Sequence, residues 1–168
     1  MRHSVIILLL IGSIFSELSA QKSIDHILRK YKNDQGVMVM NFTGDVLKMI
    51  NQSDKKIQST IDEVEILVFE EKQDIDVSDR NKIKGLLTQN KFDLLIDIKN
   101  KNQKVQLYAI EGQNYLNKVY ASVNVDEFNA YFILSGKIIF SELAKLGMDF
   151  QNVDGMKLLD GAKKKKNK

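Results

Sequence analysis

The second half of the chain alternates between apolar and polar residues with the two-residue period of half-buried strands. Apolar residues at 92, 94, 96 and 98 alternate mainly with charged ones, and a polar turn at 100–102 leads to the same alternation at 105, 107 and 109. Short polar turns then introduce the segments 118–125 and 128–135. Four such strands joined by short turns predict an antiparallel meander.

The first half of the chain mixes helical and strand patterns. Apolar residues at 24, 27, 28 and 31 share one helical face, which predicts a helix over about 22–33 that ends before Gly36. Short apolar runs at 37–42 and 64–69 predict two buried strands. Further helices are predicted over 43–51, 78–90 and 138–146. We therefore predict an α+β fold of about six strands, ending in a four-stranded antiparallel meander, with about four helices packed on the sheet.

Residues 1–20 have the three-part pattern of a cleavable signal peptide. Met1-Arg2-His3 is basic, residues 5–15 are apolar or small, and a polar stretch leads to Ala20. The apolar run is too short for a membrane-spanning helix, which needs about 20 residues. We expect cleavage before Gln21, a single domain over 21–150, and a flexible Lys-rich tail over 151–168. The mature protein is expected to be exported and soluble, periplasmic or extracellular, without a transmembrane anchor.

The amino-acid composition excludes several kinds of functional site. The chain contains no cysteine, which excludes disulfides, thiol catalysis, Cys-ligated metals and a lipid anchor on cysteine, so the protein is not expected to be a lipoprotein. His26 is the one histidine after the predicted cleavage point, and it lies off the apolar stripe of its helix. We expect it to face solvent, and we expect neither a metal site nor a cofactor.

The positive charge is concentrated at the C-terminus. Residues 21–168 contain 24 basic and 21 acidic residues, but five of the basic ones are lysines in the last six positions. Without them the count is 19 to 21, so the predicted domain is slightly acidic and is not expected to bind nucleic acid. The tail is either a solubilising end or a contact for anionic surfaces through Lys163, Lys164, Lys165, Lys166 and Lys168.

No catalytic constellation emerges from the sequence. Acidic residues bracket the second predicted strand and offer carboxylates that a glycosidase would pair, namely Asp62, Glu63, Glu65, Glu70 and Glu71. Strand alternation explains Glu65, and the chain has no Trp for a sugar platform. Neither a Gly-x-Ser-x-Gly elbow nor a glycine-rich phosphate loop is present. We expect a non-enzymatic protein and keep a carboxylate-dependent hydrolase as an alternative.

Asp74-x-Asp76-x-Ser78 resembles the beginning of a calcium loop. The sixth position is Asp79 instead of glycine, and the twelfth is Gly85 instead of a bidentate Glu. We therefore expect Asp76, Ser78 and Asp79 to cap the following helix and to complement its dipole.

The meander offers one candidate contact surface. If residues 105, 107 and 109 face the core, Tyr108 and Ile110 lie on the opposite face, next to Tyr120. The last strand adds either Tyr131 and Ile133 or Ala130 and Phe132. A tyrosine-rich sheet face suits contact with a protein or small ligand, unless a helix or a terminus covers it.

The order of the elements resembles a family of small exported bacterial proteins, the domain of unknown function 4252, typical of Bacteroidetes-type envelopes. The resemblance covers about 24–146 and rests on Tyr31-Lys-Asn-Asp-Gln-Gly-Val37, Ile66-Leu-Val68, Phe92-Asp-Leu-Leu95, Val105-Gln-Leu-Tyr108, Phe132-x-Leu-Ser-Gly136 and Leu143-Ala-Lys-Leu146. It implies a cell-envelope location, and no catalytic residues can be carried over from it.

We therefore expect an exported, non-enzymatic binding module with a protein or small-ligand partner in the cell envelope. Peripheral attachment to the envelope surface through the lysine tail is the alternative to a binding face on the domain.

Overall fold

The computed structural model describes residues 24–44, 59–70 and 73–143. The predicted signal peptide, the Lys-rich tail and most of the helix predicted over 43–51 lie outside these residues.

Six strands form one sheet in which every neighbouring pair is antiparallel. The strands are β1 (Val37–Thr43), β2 (Thr60–Glu70), β3 (Asp93–Lys99), β4 (Gln103–Glu111), β5 (Leu116–Val125) and β6 (Phe128–Ile138). Their order across the sheet is β1-β2-β6-β5-β4-β3. Strands β3 to β6 lie side by side in chain order because their connections are short. The α+β class predicted from the sequence is confirmed, and the described residues form more sheet than helix.

Two α-helices and one 3₁₀ turn accompany the sheet in the described part of the chain. Helix α1 includes residues 24–29 and continues as turns to Gly36, α2 is Val77–Gln89, and the 3₁₀ turn is Phe140–Glu142. The helix predicted over 138–146 is wrong in its described part. Ile138 pairs with Leu116 as the last residue of β6 and is fully buried, so sheet pairing outweighs its helical spacing.

The two faces of the sheet carry separate apolar clusters because side chains alternate along each strand. One cluster includes Val105, Leu107, Ala109, Ala121, Val123, Ala130, Phe132 and Leu134. The other consists of Leu67, Phe69, Tyr120 and Tyr131 on the sheet, packed against Leu28 of α1 and against Ile83 and Leu87 of α2. The two helices therefore lie on the same face.

A buried carboxylate joins the beginning of β2 to the segment that follows β6. Glu142, which is 6 % exposed, accepts hydrogen bonds from the backbone nitrogen and the hydroxyl of Ser59, at 2.8 and 2.7 Å. The Ser59 hydroxyl in turn accepts a hydrogen bond from the Ile139 nitrogen at 2.9 Å. These contacts fix the 3₁₀ turn against the beginning of β2.

Candidate functional site: a groove between α2 and the sheet

Helix α2 lies along strands β4, β5 and β6. Its residues Asp79, Ile83 and Leu87, spaced four apart, are buried, and Ile83 and Leu87 pack in the same cluster as Tyr120 and Tyr131. Beside the buried Ile83 and Leu87, the α2 residues Arg80, Asn81 and Lys84 line a gap between the helix and the strands.

That gap is an open groove with a volume of about 150 Å³. On the sheet side, its residues lie on adjacent strands in register: Lys104 pairs with Asn124, Gln106 with Ser122, and Tyr108 with Tyr120. The helix side consists of Arg80, Asn81, Ile83, Lys84 and Leu87, and Tyr131 completes the lining from β6. One end of the groove is therefore polar and cationic, and the other is aromatic and apolar.

The charged residues described in the lining of the groove are all cationic. Arg80, Lys84 and Lys104 line it, and none of the described residues in its lining is acidic. Neither the Lys84 nor the Lys104 ammonium forms an ion pair or a hydrogen bond with another described residue. Asp97, on β3, stands beyond the lining and accepts a hydrogen bond from the Gln106 amide at 3.2 Å. Both lysines are therefore without an acidic partner in the described part of the chain.

Two contacts fix the position of the Arg80 guanidinium. Its Nη2 lies 3.1 Å from Asp74 Oδ2 and donates to the Ile75 carbonyl at 3.3 Å. The Asp74 carboxylate also accepts hydrogen bonds from the Tyr131 hydroxyl and from the Ile75 nitrogen. Burial, followed by this contact with Asp74, raises the pKa of Tyr131. The phenol stays protonated and keeps Asp74 oriented toward Arg80.

The predicted tyrosine face forms, but most of it is not open. Tyr108, Tyr120 and Tyr131 lie on one face, with successive ring centroids 6.4 Å apart. Tyr131 and Ile133, and not Ala130 and Phe132, are the β6 residues on this face.

The exposure expected for that face is wrong for Tyr120 and Tyr131, which are 5 % and 1 % exposed. The apolar stripe of α2 covers both rings, because burying it there removes more apolar surface from water than leaving the tyrosines open. Tyr108 and Ile110 are half-buried. Tyr108 remains at the rim of the groove, where contact with a ligand stays a prediction.

The acidic residues predicted to cap α2 lie at its beginning, with Asp79 in the first turn as the dipole prediction requires, but side-chain capping by Asp76 is wrong. Asp76 occupies the N-cap position, but its side chain makes no capping hydrogen bond. Asp79, 3 % exposed, accepts hydrogen bonds from Tyr31 Oη at 2.9 Å, Lys30 Nζ at 3.1 Å and Lys82 Nζ at 2.8 Å. The hydrogen bonds from Lys82, Lys30 and Tyr31 hold the pKa of Asp79 well below its usual range. This carboxylate joins α1 to α2.

The remaining sequence candidates lie away from the groove. His26 is exposed, as predicted. Asp62 and Glu63 are exposed on β2, whereas Glu65 is buried and bound by Lys32 at 2.7 Å. Within residues 24–44, 59–70 and 73–143, no three His, Cys, Asp or Glu residues come close enough together to hold a metal ion. The helices in those ranges are all too short or too polar to cross a membrane.

Sequence reasoning missed the cationic residues of the groove. Arg80 and Lys84 are four residues apart on α2, which places them on one helix face, and this spacing was the available signal. Lys104 gave no such signal, because only the docking of α2 on the sheet brings it near the other two.

Comparison with known proteins assigns a family and no activity. The model of the family described as "Domain of unknown function (DUF4252)" matches residues 31–146, which is most of the chain. No curated protein matches the chain, and no solved structure does.

Proposed function

We propose that this chain, which belongs to the DUF4252 family, is a non-enzymatic binding module of the cell envelope and that the groove between α2 and strands β4–β6 is its binding site. The observation that carries the proposal is the groove itself, whose described wall residues include cations and amides but no acidic residue. The Asp79 and Glu142 carboxylates have partners inside the fold, whereas the Lys84 and Lys104 ammonium groups have none among the described residues.

Rigid walls favour binding at this place. The sheet side is formed by the register of β4 with β5, and the helix side is anchored by Ile83 and Leu87. A site built on regular elements loses little conformational freedom when a ligand is bound. The groove is smaller than the 300–1,000 Å³ pockets that enclose drug-sized molecules. It therefore suits a side chain or a small polar group better than an enclosed ligand.

A groove-filling substitution tests this function. Asn81 is exposed on α2 and lines the groove, so Asn81→Trp places an indole in it without touching the core. We expect an extract of the cell envelope to produce saturable amide chemical-shift changes at Lys104 and Ser122 in the isotope-labelled protein, and Asn81→Trp to abolish them.

Gln89→Trp is the matched control, because Gln89 is exposed on the same helix and does not line the groove. It should bind like the wild type. Shifts that are absent in the wild type, or that survive Asn81→Trp, would contradict the proposal.

Export is part of the same proposal and rests on the signal-peptide pattern of residues 1–20. Protein recovered outside the cytoplasm of the producing cell should begin at Gln21 by N-terminal sequencing. Recovery of the intact N-terminus from the cytoplasm alone would remove the export step from the proposal.

The lysine tail supports a second candidate function, attachment to anionic envelope surfaces. Five of the last six residues are lysines, and each such residue near an anionic membrane contributes about 1 kcal/mol. Deleting residues 163–168 should abolish salt-sensitive binding to vesicles containing phosphatidylglycerol. Unchanged vesicle binding by the truncated chain would exclude the tail.

A further inference from the structure

We infer that the ligand of the groove is an acidic segment of another protein, which inserts a Glu or Asp side chain between Lys84 and Lys104. This inference rests on the proposed function and specifies the chemical class of the partner.

Charge is the first reason. Lys84 on α2 and Lys104 on β4 face the groove from opposite walls, and neither has an acidic partner among the described residues. Lys99 pairs with Lys104 in register and adds a third ammonium at the sheet edge. Two described acidic residues contact lining residues: Asp97 accepts a hydrogen bond from the Gln106 amide, and Asp74 pairs with Arg80. An anionic group between the two walls gains attraction from both lysines, at a site that is partly shielded from water.

Arg80 also lines the groove, and it influences where along the groove a carboxylate binds. The Arg80 guanidinium forms an ion pair with Asp74, which balances its charge. Its remaining N–H donors can still add a hydrogen bond to a ligand. Lys84 lies one helical turn from Arg80 on the same face of α2. A carboxylate therefore meets the strongest attraction at Lys84 and Lys104, and meets Arg80 as a hydrogen-bond donor.

The neutral residues favour a peptide over other anions. Asn81, Gln106, Ser122 and Asn124 provide donors and acceptors that match the amide groups of a peptide backbone. Tyr108 and Leu87 form an apolar end beside the cationic one, which suits the neighbouring side chain of an extended segment. A nucleic acid or a membrane surface would require a broad basic face. Here the cations are few and are interrupted by these neutral side chains.

Peptide titration tests the inference. The probes are an octapeptide that alternates Glu with Tyr and Ser, the same peptide with Lys in place of Glu, sodium acetate, inorganic phosphate, and phosphatidylglycerol vesicles. We expect the acidic peptide alone to give saturable amide shifts at Lys84, Lys104 and Ser122, with an affinity that falls as salt is raised. Equal shifts at these three groove residues with the Lys peptide, acetate, phosphate or the vesicles would overturn the inference.

Charge reversal gives the matched variant. Lys84→Glu/Lys104→Glu should weaken binding of the acidic peptide at least tenfold and should create binding of the Lys peptide. Lys91→Glu/Lys137→Glu changes the net charge by the same amount at exposed positions that do not line the groove, and it should bind like the wild type. Equal weakening by both double variants would show a general charge effect and overturn the inference.

The inference and the proposed function can fail separately. If Asn81→Trp abolishes binding of the envelope extract but the lysine reversal does not, the groove is the binding site and the partner is not acidic. If Asn81→Trp leaves that binding unchanged, the proposed site itself is wrong.

Discussion

The Tyr31 hydroxyl donates a hydrogen bond to Asp79 Oδ2 at 2.9 Å and accepts one from the Asp76 backbone nitrogen at 3.0 Å. Tyr31 follows α1, whereas Asp76 and Asp79 belong to the beginning of α2, so one phenol joins two helices through residues that are 48 positions apart in sequence. The Tyr31 ring also packs edge-on against Phe69, with the centroids 5.9 Å apart. This single side chain positions the N-terminal end of the helix that forms one wall of the groove.

Removing that hydroxyl should destabilise the fold. Tyr31→Phe keeps the ring contact with Phe69 and leaves the Asp79 carboxylate and the Asp76 nitrogen each without one partner. We expect the free energy of unfolding in urea to fall by about 1.5–3 kcal/mol, as for hydrogen bonds to charged groups. Tyr115→Phe, in the half-exposed β4–β5 turn, is the control and should change it little. Equal stability of Tyr31→Phe and the wild type would show that the hydroxyl does not join the helices.

Asp79 should make the protein sensitive to acid. Its pKa is lowered in the folded state by Lys82, Lys30 and Tyr31. The stabilisation it provides is therefore complete above the unfolded pKa of about 3.9 and is lost as the pH falls below that value.

Urea unfolding of wild type and Asp79→Asn at neutral and acid pH measures this effect. The variant should be less stable at pH 7, and the difference should shrink as the pH falls through about 4. Asp93→Asn, at an exposed position, is the control and should follow the wild type. A difference that stays constant with pH would contradict the assignment.

Alkali should unfold the protein by ionising buried tyrosines. Burial raises the pKa of Tyr31 to about 12, and burial raises the pKa of Tyr120 and Tyr131 as well. An unfolded tyrosine ionises near pH 10. The fold therefore keeps this stabilisation below about pH 10 and loses it as the pH rises toward 12 and beyond.

Tyrosinate absorbance and circular dichroism, followed together against pH, check this prediction. We expect the buried phenols to ionise in the same transition in which the sheet signal is lost. Tyr120→Phe removes one of the tyrosines whose pKa is raised and should make the stability fall less steeply with rising pH. Ionisation of every tyrosine with the sheet intact would be inconsistent with their burial.

Two glycines should respond to alanine in opposite directions. Gly136 has φ +137°, and a Cβ there would lie 2.2 Å from the Thr60 carbonyl oxygen, so Gly136→Ala combines a strained backbone with a clash against backbone. We expect a loss of about 2–4 kcal/mol. Gly85 lies in α2, and a Cβ added there would meet no neighbouring atom within 4 Å, so Gly85→Ala should stabilise the fold by about 0.5–1 kcal/mol. Thermal unfolding of both variants measures the contrast, and a stable Gly136→Ala would contradict the geometry.

The sequence by itself determined the strands and most of their alternation. Apolar and polar residues at 105–109 alternate with a period of two, and the structure places Val105, Leu107 and Ala109 in one cluster and Tyr108 in the other. Helical spacing of apolar residues, which is also a local pattern, predicted helix α2 within one residue at each end. These features were predictable because each depends on neighbouring residues and on one period.

Only the tertiary structure decided what covers each face and which distant groups meet. The tyrosines formed the predicted row, yet α2 covers two of them. Asp79 binds Tyr31 across 48 residues, and Lys104 faces Lys84 only because Ile83 and Leu87 dock on the sheet. Such contacts depend on the relative positions of whole elements, which are set by apolar burial summed over many residues and not by the pattern within any one segment.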